Sequence, residues 1–403
     1  MSRVVIIGAG HAGGSAAALL RQYGFAGEIV LIGEEPLAPY QRPPLSKAWL
    51  KGEADSDSLL LKDPAFYPEH DIDFRPSARA VGLNRPHKLV RLESGEDIAY
   101  DQLVLATGST ARRLPIPGAE DPRILDLRTA ADADQLKAAL SPGRRLIVVG
   151  AGYIGLEVAA SARQLGCEVT VVEREARVLA RVASEPLSAF FERFHHGKGV
   201  EIRTGVEVSA IENEATAVRL ASGELVAGDA VLVGVGARAC DELAVAARLR
   251  CERGIVVDGE ARTETDPDVF AIGDCSFRPL PLYGETARLE SVPNALEQAK
   301  QAAAAIAGRP PPPPEVPWFW SDQYEIKLQI AGLPYAVDRL VVRGDPAADR
   351  FAVFHLQGDL IQAVEAVNDP QAFMGGKLMI GQRKPVDPGK LADPAVSMKE
   401  VAA

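Results

Sequence analysis

The sequence predicts an α/β fold: two Rossmann-like units, followed by a smaller C-terminal α+β domain. Three observations lead there. A β-branched run ending in Gly-x-Gly-x-x-Gly and continued by an Ala/Leu-rich stretch occurs twice, from Gly8 and again from Gly150. Each copy is followed by a second strand-like run that ends in a glutamate, Glu34 in the first and Glu173 in the second. Beyond the run of prolines after Gly308, alternating apolar and polar residues replace the strand–helix rhythm.

The first element is "RVVIIGAG", a short apolar strand that runs into Gly8, Gly10 and Gly13, with "GSAAALLRQYG" as the helix behind it. In a turn of this kind the first glycine permits the tight bend and the second lets a pyrophosphate approach the backbone. The third lets helix and strand pack closely, with the helix N-terminus facing the phosphates. "EIVLIGEE" is the next strand and ends at Glu34, 21 residues past Gly13, where a carboxylate can accept from ribose hydroxyls. The second copy repeats each part. "RRLIVVG" leads to Gly150, Gly152 and Gly155, "LEVAASARQLG" is the helix, and "EVTVVE" ends at Glu173, 18 residues past Gly155. One such turn is weak evidence, whereas two copies with strand, helix and terminal acid are specific. Two nucleotide turns fit two soluble substrates, or one tightly held cofactor and one diffusing one.

Two further strand ends are rich in small residues: "YDQLVLATGST", with Ala106, Thr107 and Gly108, and "DPDVFAIGDCS", with Gly273 and Asp274. Small residues there let backbone come close to a ligand, and Asp274 offers an acceptor for polyol hydroxyls. "ARLESVPNALEQAKQAAAAIAG" predicts a long helix with Pro293 in its first turn, where the missing N–H costs nothing. After "QRPP", the stretch "LSKAWLKG" reads as a helix start. Prolines 310–314 favour an extended spacer at about 3.1 Å per residue. In the domain that follows, "RFAVFHLQGDLIQAVEAV" alternates like two strands with "QGD" as the turn, and the final residues read as a flexible tail.

Composition narrows the function classes. At 403 residues two or three domains are expected. No apolar run reaches the roughly 20 residues of a membrane helix, so a cytoplasmic protein with no membrane partner is expected. The net charge of −11 disfavours nonspecific nucleic-acid binding. Cys167, Cys240, Cys251 and Cys275 form no Cys-x-x-Cys, and the six histidines form no ligand cluster, so neither a disulfide framework nor a metal site is expected. His195 and His196 point in different directions on a helix.

The order GxGxxG, "RPPLSK", "ATG", GxGxxGxE, "GD" and "ESVPNALEQA" resembles the FAD-dependent pyridine nucleotide-disulfide oxidoreductase superfamily. Within it the chain is similar to the NADH-dependent ferredoxin reductases that serve oxygenases, of the putidaredoxin reductase type. The resemblance covers essentially the whole chain. It implies FAD on the first turn and NADH on the second, with the NADH domain (111–236) inserted between the two parts of the FAD domain (1–110 and 237–309). A C-terminal domain spans 310–403.

The resemblance also assigns residues. Arg42, Lys47, Ala12, Ala80, Arg128 and Val292 fall at FAD-contacting positions, Lys47 near the flavin N5 edge. Glu157 falls at the acid that pairs with this lysine near the nicotinamide, a pair expected to act by positioning and electrostatics. His11, Ala106, Thr107, Gly108, Gly273, Asp274 and Ser291 complete the expected FAD set. Gly150, Gly152, Tyr153, Ile154, Gly155, Glu173 and Gly236 complete the NADH set, with Arg174 and Arg181 at positions that touch the NAD adenosine and phosphates. The helix at Val292 is expected to face the flavin pyrimidine ring with its positive end. Trp320, rather than Trp318, matches a tryptophan beside the isoalloxazine. Glu173 favours NADH, since a carboxylate beside a 2′-phosphate is repelled; Arg174, Arg177 and Arg181 partly offset this.

Disulfide reductases need a cysteine pair near the flavin, and peroxide- or oxygen-reducing relatives need one cysteine in the first third of the chain. This chain has none before Cys167. The expected function is therefore NADH:ferredoxin oxidoreduction toward a two-iron two-sulfur ferredoxin, which feeds a haem-thiolate monooxygenase or a ring-hydroxylating dioxygenase. Alternatives are a rubredoxin or oxygen reductase, or a protein of the apoptosis-inducing-factor type, against which the acidic charge speaks. A basic docking patch is expected from Arg79, Arg278, Arg288 and Lys327. Monomer and homodimer both remain open.

Overall fold

In the computed structural model, residues 2–402 are described, and they form two compact units that interleave along the chain. The first comprises Met1–Gln41, Ser56–Thr110 and Arg238–Pro317, the second Arg42–Asp55, Ala111–Ala237 and Trp318–Ala403.

The first unit is built on a five-stranded parallel sheet. The strand Arg3–Ile7 lies at its centre, between Glu28–Ile32 and Gln102–Leu105, with Ile72–Arg75 and Val269–Ala271 at the edges. Register pairs Ile6 with both Leu31 and Val104. Because side chains alternate across a strand, Val4 and Ile6 point to one face and Val5 and Ile7 to the other. The first face is covered by the helices His11–Gln22 and Val292–Ile306, whose Ala16, Ala17, Ala299, Ala302 and Ala303 are buried in the same core. Alanine along both helices lets them pack closely. The second face buries Val90, Leu92 and Ile98 from an antiparallel layer, Ala80–Asn84, Leu89–Leu92 and Asp97–Ala99.

The second unit repeats this plan. The strands Val200–Arg203, Glu168–Val172, Arg145–Val149 and Ala230–Val233 form a parallel sheet in that order. Leu146 and Val148 pack with Leu156, Val158 and Ala159 of the helix Tyr153–Gln164. Ile147 and Val149 pack toward the antiparallel layer Val208–Glu212, Ala217–Leu220 and Leu225–Ala227. In both sheets the first strand in sequence has the second on one side and the fourth on the other. A ligand cleft forms at such a reversal, beyond the C-terminal ends of the strands, and both glycine turns sit at this position.

The C-terminal part of the second unit is an antiparallel sheet of five strands, ordered Trp318–Gln323, Ile326–Gly332, Leu360–Val367, Arg350–Gln357 and Arg339–Asp345. The helix Pro370–Gln382 packs against it. The expected hairpin forms, with Gly358 and Asp359 between its strands.

Two expectations are corrected. The stretch after "QRPP" is not one helix start: a 3-10 turn, Pro43–Ser46, gives way at Lys47 to the short helix Ala48–Lys51, which ends at Gly52 with φ +74°. The final residues are not a loose tail. The helix Pro388–Ala392 is capped by Asp387, Val401 is fully buried, and the Asp387 N–H donates to the Val401 carbonyl. Buried Arg343 donates to the carbonyls of Leu391, Asp393 and Val396. A single anchoring valine among small and charged residues leaves no periodic trace in the sequence.

Candidate active site

In the first unit, Gly8 has φ +107°, and a Cβ there would meet the Ala106 carbonyl oxygen at 2.2 Å. A Cβ on Gly13 would lie 1.9 Å from the Gly8 carbonyl oxygen, so helix and strand approach at a distance only glycine allows. The helix His11–Gln22 opens at Gly10 without a side-chain cap. The helix Tyr153–Gln164 does the same at Gly152, where a Cβ would meet nothing within 4 Å. By contrast, the other described helices of ten residues or more are capped by Thr129, Ser184, Ser291 and Asp369. The N-terminal N–H groups of the two glycine-led helices thus have no capping side chain, and the space beside Gly152 is open. This arrangement fits an anionic pyrophosphate, for which N–H groups and the positive helix end are complementary.

Around the first turn, Ala106, Thr107 and Gly108 follow the strand Gln102–Leu105, and the Thr107 hydroxyl donates to the Cys240 carbonyl at 2.5 Å. Asp274 accepts from the Ser109 hydroxyl at 2.9 Å, and the neighbouring Gly273 N–H donates to Gln298 at 2.8 Å. A Cβ on Gly273 would meet the Ala12 side chain at 3.0 Å, which brings this loop to the start of the first helix beside His11. Ser291 caps the helix that begins at Val292, accepting from the Asn294 N–H at 3.2 Å. Glu34 is exposed, with Arg79 at 3.4 Å. Ala80 opens the antiparallel layer.

In the second unit, Glu173 stands directly after its strand. Its carboxylate accepts from the Ala151 N–H at 2.6 Å and the Glu175 N–H at 2.9 Å, which ties the acid to the glycine turn. Arg174 is exposed and pairs with Glu175 at 3.0 Å, and Arg181 is exposed. Arg177 is not a surface cation: its guanidinium donates to Ser188 and to the carbonyls of Ala180 and Ala183. Gly236 has φ +106° with open space at its Cβ position. Tyr153 packs edge-on against Phe319, and Ile154 is exposed.

The structure brings Lys47 and Glu157 together. Glu157 is 3% exposed, in the helix that opens at Gly152, and its Oε2 lies 2.5 Å from the Lys47 ammonium. Two hydroxyls that the sequence did not single out complete the cage. Ser46 donates to the same oxygen at 2.5 Å, and Ser321 donates to Oε1 at 2.6 Å. The Lys47 ammonium also reaches the Pro43 carbonyl at 3.2 Å. A buried carboxylate with three donors is fixed in direction, and it fixes the lysine in turn. This is an electrostatic mount, not a proton relay. The signal for Ser321 was its position in "WFWSDQ", where it lies on the strand face opposite Trp318 and Trp320 and is itself buried. Ser46 directly precedes Lys47 in "RPPLSK", and that was its only signal. Trp320 lies tilted beside Trp318, ring centroids 5.6 Å apart. Arg42 donates to the Arg128 carbonyl. Arg42, Lys47, Arg128 and Trp320 all belong to the second unit, whereas Gly8, Gly273 and Asp274 belong to the first.

One expectation about charge fails. Arg278 is buried, paired with Glu297 at 2.9 Å and donating to Asn294 at 3.1 Å, so it cannot form part of a docking patch. Arg288 is largely covered and pairs with Glu290, Arg79 stands between Glu34 and Glu93, and Lys327 is exposed. An arginine among apolar residues reads the same in sequence whether it is paired inside or exposed outside.

The pyridine nucleotide-disulphide oxidoreductase family matches residues 2–299, and the reductase C-terminal family matches residues 318–402. The chain belongs to the pyridine nucleotide-disulphide oxidoreductase family. It is 50% identical to the probable ferredoxin reductase CtmF of Castellaniella defragrans, over 99% of this chain and 98% of that one. It is 43% identical to putidaredoxin reductase CamA of Pseudomonas putida, over 99% and 96%. Among solved structures, the covalent putidaredoxin reductase–putidaredoxin complex superposes with a TM-score of 0.96 at 42% identity, covering 99% of this chain and 98% of that one.

For a member of this family the thiols matter. All four cysteines are free, and burial raises the Cys167 and Cys275 thiols and pushes Cys251 up to about 11. Thiols held protonated in this way are poor nucleophiles. Among the described residues no cluster could hold a metal ion, and no helix is long and apolar enough to cross a membrane.

Proposed function

We propose that this protein is an FAD-containing, NADH-dependent ferredoxin reductase of an oxygenase system. The first glycine turn holds FAD and the second takes NADH. The observation that carries this reading is the pair of uncapped glycine-led helices, each beside a reversal of strand order, in a chain whose four cysteines are all free. When bound, FAD supplies a ring that accepts two electrons together and gives them up one at a time.

The chain's own residues do the rest. The N–H groups after Gly10 and Gly152 bind the two pyrophosphates, Glu34 and Asp274 accept from FAD hydroxyls, and Glu173 accepts from the NADH ribose while repelling a 2′-phosphate. Lys47, fixed by Glu157, Ser46 and Ser321, supplies a positive charge whose position does not have to be reorganised during the reaction. The helix from Val292, capped by Ser291, would offer its positive end to FAD, a charge that favours an anionic group by about 0.3–2 kcal/mol. The electron acceptor is a two-iron two-sulfur ferredoxin, which serves a haem-thiolate monooxygenase or a ring-hydroxylating dioxygenase.

The test is cytochrome c reduction by NADH, with and without such a ferredoxin. Strong dependence on the ferredoxin supports the proposal. Equal rates in its absence point to the oxygen reductase or apoptosis-inducing-factor alternatives.

A further inference from the structure

Glu157 is the end of a longer buried chain. The Ser321 oxygen that donates to Glu157 lies 3.1 Å from the Gln323 side-chain nitrogen, and the Gln323 oxygen lies 2.7 Å from His195 Nε2. Ser321 and Gln323 are each 1% exposed and His195 is fully buried. Ser321 and Gln323 share the inner face of the strand Trp318–Gln323, and His195 comes from the helix Glu185–Gly197. All of these residues belong to the second unit, as do Lys47 and Glu157.

The direction of this chain follows from its chemistry. Lys47 and Ser46 both donate to Oε2 of Glu157, and Oε1 accepts from the Ser321 hydroxyl. The single hydroxyl proton of Ser321 is therefore spent on Glu157, and its oxygen must accept from Gln323. That turns the Gln323 amide nitrogen toward Ser321 and its oxygen toward His195. His195 must then carry its proton on Nε2. Two facts agree with this. Among the described residues His195 Nδ1 has no hydrogen-bond partner, as suits the unprotonated nitrogen, and burial lowers the imidazole to about 4, so the ring is neutral at pH 7.

We infer that His195 and Gln323 are positioning residues for the Lys47–Glu157 pair: a one-way relay, His195 to Gln323 to Ser321 to Glu157, fixes the Ser321 hydroxyl as a donor and so holds the carboxylate that orients Lys47. The inference rests on the proposed function for its catalytic consequence, but not for its geometry. Removing a link frees the Ser321 hydroxyl to rotate and lets the carboxylate, and the lysine with it, take several orientations.

The experiment uses the full-length holoprotein labelled with ¹⁵N-histidine, the His195 signal being assigned by its loss in His195→Gln. Wild type should show His195 protonated on Nε2, and Ser321→Ala should show the proton shared between the two nitrogens. In anaerobic stopped-flow, Gln323→Leu and Ser321→Ala should lower the limiting rate of flavin bleaching by NADH about tenfold with the half-saturating NADH concentration little changed. Ser321→Thr, which keeps the hydroxyl, should restore the rate. A proton on Nδ1 in wild type overturns the relay. So does an unchanged limiting rate in a folded, yellow Ser321→Ala or Gln323→Leu protein. If NADH fails to bleach even wild type, the functional reading falls instead, and the tautomer alone decides the relay.

Discussion

Glu157→Gln keeps the volume of the side chain and removes only its charge. In the native cage Oε2 takes Lys47 and Ser46, each at 2.5 Å, and Oε1 takes Ser321 at 2.6 Å. A carboxamide can accept at one of these positions only. If its nitrogen faces Lys47, a donor meets an ammonium; if it faces Ser321, the hydroxyl loses its acceptor. The first orientation loses the hydrogen bonds of both Lys47 and Ser46 and the second loses only that of Ser321, so at least one is lost, about 1.5–3 kcal/mol where the lost partner was charged. The upper figure for breaking a buried ion pair, about 3–5 kcal/mol, overstates the case because Lys47 keeps 19% exposure and the Pro43 carbonyl. If the pair fixes the lysine for the reaction, a loss of about 2–3 kcal/mol appears as a limiting rate of flavin reduction about 30- to 150-fold lower. The assay is anaerobic stopped-flow of the yellow variant against NADH. A limiting rate within about threefold of wild type, in protein that binds FAD normally, would refute the electrostatic mount.

Other consequences are independent of that pair. Glu173→Ser removes the carboxylate held at the second turn, and the ratio of kcat/KM for NADH over NADPH should fall at least about tenfold. Val401→Ala should cost about 1.5 kcal/mol for two methyl groups, read as a lower melting temperature; a loose tail would give no change. His195 is buried and neutral, with its folded value lowered to about 4 from an ordinary 6.5, so the unfolded chain binds its proton first as pH falls. Stability from this group is complete above pH 6.5 and is lost between there and pH 4, to the order of 3 kcal/mol. His195→Gln should flatten the fall in melting temperature over that window, and an unaltered slope would mean that another group sets it.

The architecture was legible because both dinucleotide turns depend on local chemistry. Gly8 and Gly150 are needed where backbone meets backbone, and Glu34 and Glu173 each end the next strand-like run, 21 residues past Gly13 and 18 past Gly155. Alternation in Val4–Ile7 and Leu146–Val149 set the two faces of each sheet. What stayed hidden depends on tertiary pairing. Ser46 sits unmarked inside "RPPLSK" and Ser321 and Gln323 carry no motif; only the fold turns them toward Glu157 and His195. Arg278 reads as a surface cation in sequence but is paired with Glu297, and the small, charged C-terminal segment reads as loose but is gathered by Arg343 through its carbonyls. Lys47 and Glu157 were paired by resemblance to a family, since 110 residues of chain separate them.

The account's central claim is that two glycine turns of one chain serve two different dinucleotides, one resident and one visiting. An anaerobic NADH titration of the purified protein, followed by visible absorbance, tests it most directly. The account predicts a yellow protein whose flavin band bleaches in proportion to added NADH. A colourless protein that takes up no FAD, or a yellow one that NADH leaves unbleached, would contradict it.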